Sequence, residues 1–402
     1  MKINDVIKAK ELLKDVIIDT PILDACGIKD NLYIKAENMQ KTGSFKLRGA
    51  FYKIANLTNE EKANGIVAAS AGNHAQGVAY ACKVNNIKGT IVMPKSAPML
   101  KVSATKSYGV NVILQGNTFN DAYTYASNLA MIENAEFIEP FDDLDVITGQ
   151  GTIGLELIDK LEDNDTVVVP IGGGGLASGI AYVIKQYKPN VKVIGVQAKN
   201  APSMYESLKK NEITETMVKT MADGIAVKKP GKLTYELCRE YLDDIVLVAD
   251  DEIAASILII LEKMKLVSEG AGAIAIAACI FNKIQYSNKC YAILSGGNID
   301  VEYLAQIIEL GLTKLKRKIS LEFTIIDKPQ NLKRIVDLLS DANVNIVTVD
   351  HHRNKKEILS KKCLVSTKIE INDTKQLDDL IESLKHEGFS ITYKDETYII
   401  EG

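Results

Sequence analysis

TVVVPIGGGGLASG, residues 166–179, decides the fold. A β-branched run this short and continuous reads as a parallel strand covered on both faces. The four glycines after it open a helix. Successive glycines let backbone N–H groups approach an anion closely, and the helix dipole adds attraction, so the turn reads as a phosphate cradle. The plain alternative is a tight strand-to-helix turn with no ligand. Gly172, Gly174 and Ala177 also satisfy the dinucleotide pattern G-x-G-x-x-A. That fold wants an acidic residue at the end of the next strand to hold a ribose. Here the next strand, VKVIGVQ, ends in Gln197, and no G-x-x-x-x-G-K-[ST] is present. The phosphate therefore reads as part of a smaller cofactor.

The same alternation extends to both sides of this unit. From about residue 65 to 310 the runs GIVAAS, GTIVMP, NVILQG, AEFIEP, VKVIGVQ, IVLVAD and CYAILSGG are separated by amphipathic stretches such as HAQGVAYACKVNN and DEIAASILIILEKMK. Strands alternating with helices predict a doubly wound α/β fold. Three strands end in glycine-rich or polar turns: SAGNHAQG, GGGGLASG and SGGNID. Ligands of open α/β sheets bind beyond the carboxyl ends of the strands, so the three turns predict one crevice with several walls.

After residue 311 the texture changes. LTKLKRK, residues 312–318, is a charged connector. Residues 319–402 then read strand, helix, strand, strand, helix, strand, which is the ferredoxin-like order. Residues 1–311 are expected as the main domain, with a smaller subdomain at about 50–150 inserted in it.

Composition narrows the chemistry. The chain has 402 residues, 25% of them charged, and a net charge of −4, which gives no reason to expect nucleic acid or an anionic membrane as partner. MKINDVIKAKELLKD is no signal peptide, and AGAIAIAACIF is too short to span a bilayer. Six cysteines without a C-x-x-C pair fit a reduced cytoplasm. With only four histidines, a metal site is not expected.

KTGSFKLRGA, residues 41–50, supplies another group. A lone loop lysine is ordinarily a solvated charge. Lys46, however, lies between Phe45 and Leu47 beside small residues, where burial would lower its pKa and free the amine for a Schiff base. A phosphate cradle with such a lysine is what pyridoxal phosphate (PLP) requires.

SFKLRGA resembles the PLP-lysine motif of fold-type II enzymes, the tryptophan synthase β superfamily. Together with SAGNHAQG, GGGGL and SGGN it is similar to the threonine ammonia-lyase (threonine dehydratase) family. The resemblance covers nearly the whole chain, from Thr20-Pro21 to a tail similar to an ACT regulatory domain. It implies that Lys46 holds PLP and removes the substrate α-proton, and that Phe45 packs near the ring. Asn73 is implied to bond the ring hydroxyl, and Gly172, Gly173, Gly174, Gly175 and Leu176 to bind the phosphate. Ser70, Ala71, Asn73 and His74 lie on the implied substrate-carboxylate loop, with Gly224 and Glu269 as further contacts. Ser295 is implied to face the pyridine nitrogen. A hydroxyl there, unlike a carboxylate, leaves the ring a weaker electron sink and favours loss of the β-hydroxyl over transamination. Taken alone, Ser295 reads first as a cap of the helix after it.

Serine racemase is the nearest alternative. Racemisation needs a second acid/base on the opposite ring face, supplied in that family by a serine where this chain has Ala71. The racemase's divalent-cation ligands fall approximately at Gln197 and Ser203, and neither is a carboxylate. The implied reaction is therefore deamination of L-threonine, and secondarily of L-serine, in a cytoplasmic homo-oligomer (dimer or tetramer). Another fold-type II synthase and a non-catalytic amino-acid sensor complete the alternatives. The tail implies an amino-acid or nucleotide effector. ACT domains commonly carry D-x-P-G at the first strand–helix turn, where this chain has Asp327-Lys328-Pro329-Gln330, so weak effector binding is expected.

Overall fold

The computed structural model describes residues 1–353, 361–394 and 396–402. The chain forms two compact units, Met1–Leu304 and Ala305–Gly402, and the division falls inside the helix Val301–Lys314. Residues 312–318, expected as a connector, hold the end of that helix, a turn and the first residue of the next strand.

The first unit contains two sheets. The strands are β1 (Ile22–Asp24), β2 (Leu32–Ala36), β3 (Ile66–Ala69), β4 (Gly89–Met93), β5 (Asn111–Leu114), β6 (Glu136–Phe137), β7 (Thr166–Pro170), β8 (Lys192–Ala198), β9 (Asp244–Val248) and β10 (Cys290–Leu294). Six strands form one sheet in the order β1-β2-β10-β7-β8-β9, and four form the other in the order β5-β4-β3-β6. All pairings are parallel except β1 with β2. The four-stranded sheet comes from the segment between β2 and β7. Val167, Val168 and Val169 of β7 are all fully buried, which requires cover on both faces of the sheet, as the opening sequence run implied. β1 and β2 have no counterpart in the sequence reading. They are short, and β2 carries a charged residue, Lys35, that is itself buried.

The second unit is a five-stranded sheet in the order β12-β13-β11-β15-β14, from β11 (Lys318–Ile326), β12 (Asn345–His352), β13 (Lys362–Glu370), β14 (Ser390–Lys394) and β15 (Thr397–Glu401). The helices Pro329–Asp341 and Thr374–His386 share a core with Phe323, Val365 and Ile400. The expected strand–helix order holds, with one strand added. β15 pairs parallel to β11 and antiparallel to β14, so it takes the place beside β11 that a four-stranded ferredoxin-like sheet gives its last strand. Ile400, fully buried, anchors it there. No helix among the described residues is long and apolar enough to cross a membrane.

Candidate active site

The carboxyl ends of three parallel strands build the site. Ser70 follows β3, Gly172 follows β7 and Ser295 follows β10. Their loops border a cavity of about 770 Å³. Every residue that the resemblance implies at the cofactor and substrate sites lines it: Phe45, Lys46, Ser70, Ala71, Asn73, His74, Gly172 to Gly175, Leu176 and Ser295. Gly224 and Glu269 line it too.

Lys46 begins the helix Lys46–Asn56. Its position is set from the preceding loop, where the Phe45 N–H donates to the carbonyl of Ser295 at 3.1 Å and Ser44 bridges Gly296. The Lys46 ammonium donates to the carbonyl of Pro140 at 2.6 Å and lies 5.4 Å from the centre of the Phe45 ring. Burial pushes this amine down to about 8, against the opposing pull of the Glu269 carboxylate.

The glycine loop is shaped by what packs behind it. A Cβ on Gly173 would lie 2.3 Å from Cγ of Phe141, and one on Gly172 would lie 2.9 Å from the backbone of Ile225. Gly174 takes φ +102°, a left-handed conformation that L-residues with side chains rarely adopt. It caps the helix Gly175–Tyr187 without any side-chain hydrogen bond. The helix Asn73–Asn85 likewise starts from Gly72 with no side-chain cap. Two helix N-termini without a side-chain cap among the described residues thus face one cavity, each presenting its first N–H groups and the positive end of a dipole. Such an arrangement can hold two anionic groups.

A polar chain borders the same cavity at Asn73 and Glu269. Asn298 Nδ2 donates to Oδ1 of Asn73 and to the carbonyl of Thr42, both at 2.7 Å. Asn73 Nδ2 donates in turn to Oε1 of Glu269. Gly296 makes room for this contact, since a Cβ there would lie 2.3 Å from that same oxygen. Burial pushes Glu269 up to about 7, with the Asn73 hydrogen bond and the Lys101 and Lys46 charges opposing and Asp223 reinforcing. His74 is buried, and its Nε2–H donates to the carbonyl of Ile138 at 3.0 Å. Burial, and then the Lys46 charge, push His74 down to about 3, so it is a neutral ring whose Nδ1 is an acceptor without a partner among the described residues. The Ser295 hydroxyl donates to the carbonyl of Ala271 at 3.1 Å.

Sequence reasoning did not find the support beneath Lys46. Arg48 is fully buried, with Nε and Nη2 each 2.8 Å from the Glu37 carboxylate. Its Nη2 also reaches Glu156 at 2.9 Å, and Lys35 holds the same carboxylate at 2.6 Å. This buried network ties the lysine helix to β2 and to the helix Leu144–Leu157. Pro140 and Phe141 were missed as well, because neither carries a motif. The role of Asn298 was signalled only by the N of SGGN.

Residues 13–296 match the family of pyridoxal-phosphate dependent enzymes, and residues 314–387 match the ACT domain. The chain is 45% identical over 395 residues to the L-threonine ammonia-lyase of Thermotoga maritima, covering 97% of this chain and 98% of that one. Among solved structures it is similar to the processed form of threonine deaminase isoform 2 from Solanum lycopersicum. That match has a TM-score of 0.73 and 41% identity, and covers 76% of this chain and 86% of that one. It is also similar to the serine racemase of Dictyostelium discoideum, with TM-score 0.70 and 37% identity, covering 75% and 99% of the two chains. Lys46 and four consecutive glycines line one cavity, and the family match spans most of the chain: the chain belongs to the pyridoxal-phosphate dependent enzymes and carries an ACT domain after the catalytic part.

Proposed function

We propose that this chain is a threonine ammonia-lyase, converting L-threonine to 2-oxobutanoate and ammonia, with L-serine to pyruvate as a secondary reaction. The observation that carries the reading is one cavity lined by Lys46, whose amine is pushed down to about 8, and by the N-termini of two helices without side-chain caps. An amino-acid-transforming PLP enzyme has two anions to bind, the cofactor phosphate and the substrate carboxylate. The 45% identity to an L-threonine ammonia-lyase over nearly the full length supports the same substrate.

The residues fit the cofactor. Gly172 to Gly175 and Leu176 would take the phosphate on the N-terminus of the helix Gly175–Tyr187. Lys46 would take the aldehyde carbon, Phe45 would pack near the ring, Asn73 would meet its hydroxyl, and Ser295 would stand at the pyridine nitrogen. PLP bound there supplies an electron sink that makes the substrate α-proton acidic.

The remaining work belongs to the chain. Near pKa 8, roughly a tenth of the Lys46 amine is neutral at pH 7, roughly 300-fold more than for an ordinary lysine. That neutral nitrogen is the base for the α-proton. Ser70 and the N–H groups opening the helix Asn73–Asn85 would hold the substrate carboxylate. His74 contributes as a neutral ring. Ala71 presents a methyl group, which cannot deliver a proton to the opposite face. The 37% identity to a serine racemase makes racemisation the second reading, and Ala71 is the observation against it.

The enzyme is proposed to be cytoplasmic and homo-oligomeric, a dimer or tetramer. The ACT domain would receive an amino-acid or nucleotide effector only weakly, because Gln330 stands exposed in the first turn of the helix Pro329–Asp341. Isoleucine and valine should then change the threonine saturation curve little. The test of the whole reading is to supply L-threonine and L-serine separately and measure 2-oxobutanoate, pyruvate and D-serine. Fast 2-oxobutanoate formation with little D-serine is expected. D-serine forming as fast as pyruvate, without 2-oxobutanoate, would establish the racemase instead.

A further inference from the structure

Three side chains with metal-binding atoms meet in the C-terminal unit: Asp327 just after β11, His351 on β12 and Cys363 on β13. The strand register explains why. Cys363 pairs with Ile325, and His351 pairs with Val365. Directly paired residues share a sheet face, and so do residues two apart on one strand. Cys363 is two from Val365, and Asp327 is two from Ile325, with its N–H still pairing to Lys361 at 2.9 Å. All three side chains therefore leave from the face that carries the buried Val365 and Ile325.

Their ligand atoms all lie within 4.8 Å of one another. Asp327 Oδ1 is 3.9 Å from His351 Nε2, while Asp327 Oδ2 is held by Arg353 Nε at 3.1 Å. Cys363 is 1% exposed, whereas the Asp327 and His351 side chains are 30% and 26% exposed. The cluster is thus closed on the sulfur side and open to water on the other.

We propose that Asp327, His351 and Cys363 bind one divalent transition-metal ion of the zinc class, with water in the fourth position. A thiolate and an imidazole select such an ion over calcium or magnesium, which prefer oxygen. Metal–ligand bonds of roughly 2.0–2.3 Å place tetrahedral ligand atoms about 3.5 Å apart, so side-chain rotations of about an ångström close the site. Arg353 can stay on Oδ2 and orient the carboxylate, as outer partners of metal ligands do. The scarcity of histidine and the lack of a C-x-x-C pair argued against any metal site, but here three neighbouring strands supply the ligands, so no local motif announces them.

The test uses full-length holoenzyme stripped of metal with a chelator. Equilibrium dialysis with Zn²⁺ should give about one equivalent per chain, and Co²⁺ should add a thiolate-to-metal absorption band in the difference spectrum, removed by excess Zn²⁺. Cys363→Ser should abolish that band. His351→Ala and Asp327→Asn should each weaken binding by roughly tenfold or more. Metal-free melting curves matching the parent's show that a variant is folded; if Cys363→Ser fails this check, the partly exposed His351→Ala decides. No metal bound at about 100 µM, or equal binding by parent and His351→Ala (an adventitious ion only), would overturn the proposal.

Discussion

Asn298 Nδ2 donates at 2.7 Å to Oδ1 of Asn73, joining the loop after β10 to the start of the helix that follows β3. The same nitrogen holds the carbonyl of Thr42, four residues before Lys46. Two motifs distant in sequence are thereby locked to a third, and Asn73 is left with its Nδ2 aimed at Glu269. The chain of contacts fixes the loops around the lysine before any ligand arrives.

Glu269 at the end of that chain gives a stability prediction with a definite sign. Burial raises its folded-state pKa to about 7, above the ordinary carboxylate value of 4.5, so the folded apoenzyme binds more protons than the unfolded chain between those values. Stability then falls as pH rises through this window. Glu269→Gln removes the charge and the slope. The variant apoenzyme should be more stable than the parent above pH 7, by about 1–3 kcal/mol, and the advantage should vanish near pH 4. Thermal unfolding across pH checks both.

Gly174 is the sharpest test of the phosphate cradle. Gly174→Ala puts a Cβ at φ +102°, 2.8 Å from Thr234 Cβ and Met204 Cε. The strain costs roughly 1–2 kcal/mol before any clash, and the loop must shift to relieve it. Reconstitution of the apoenzyme with PLP, followed by absorbance, should show affinity reduced about tenfold or more.

Arg48→Ala should destabilise the catalytic unit by about 3–5 kcal/mol, because Glu37 and Glu156 would be left buried without their shared partner. Arg48→Lys should recover little, since an ammonium cannot fork to two carboxylates. Denaturant unfolding of the apoenzymes measures both.

How much of this was legible beforehand follows from how each feature is encoded. The parallel strands and glycine turns were readable because their signals are local: β-branched runs, and glycines where backbone and ligand meet. Arg48, Glu37, Glu156 and Lys35 were not, because a buried charge looks in sequence like a solvated one and its partners lie far along the chain. The raised pKa of Glu269 depends on enclosure, which only the assembled loops provide. β15 escaped notice because a four-stranded order already accounted for the tail, and Asp327, His351 and Cys363 meet only through strand register.

Ala71 lines the cavity one residue before the glycine that starts the helix Asn73–Asn85. Ala71→Ser should raise the D-serine formed from L-serine, by giving the opposite face a hydroxyl that can carry a proton. Chiral chromatography of the products measures it. An unchanged D-serine yield would mean that position 71 does not face the substrate α-carbon.

Borohydride reduction of the holoenzyme followed by peptide mass spectrometry tests the role of Lys46 most directly. The protein should be yellow before reduction, and the fixed cofactor should appear on the peptide containing Lys46 and be absent from Lys46→Ala. That variant should also lose at least roughly a thousandfold in threonine turnover. Cofactor fixed to another lysine, or threonine turnover surviving in Lys46→Ala, would contradict it.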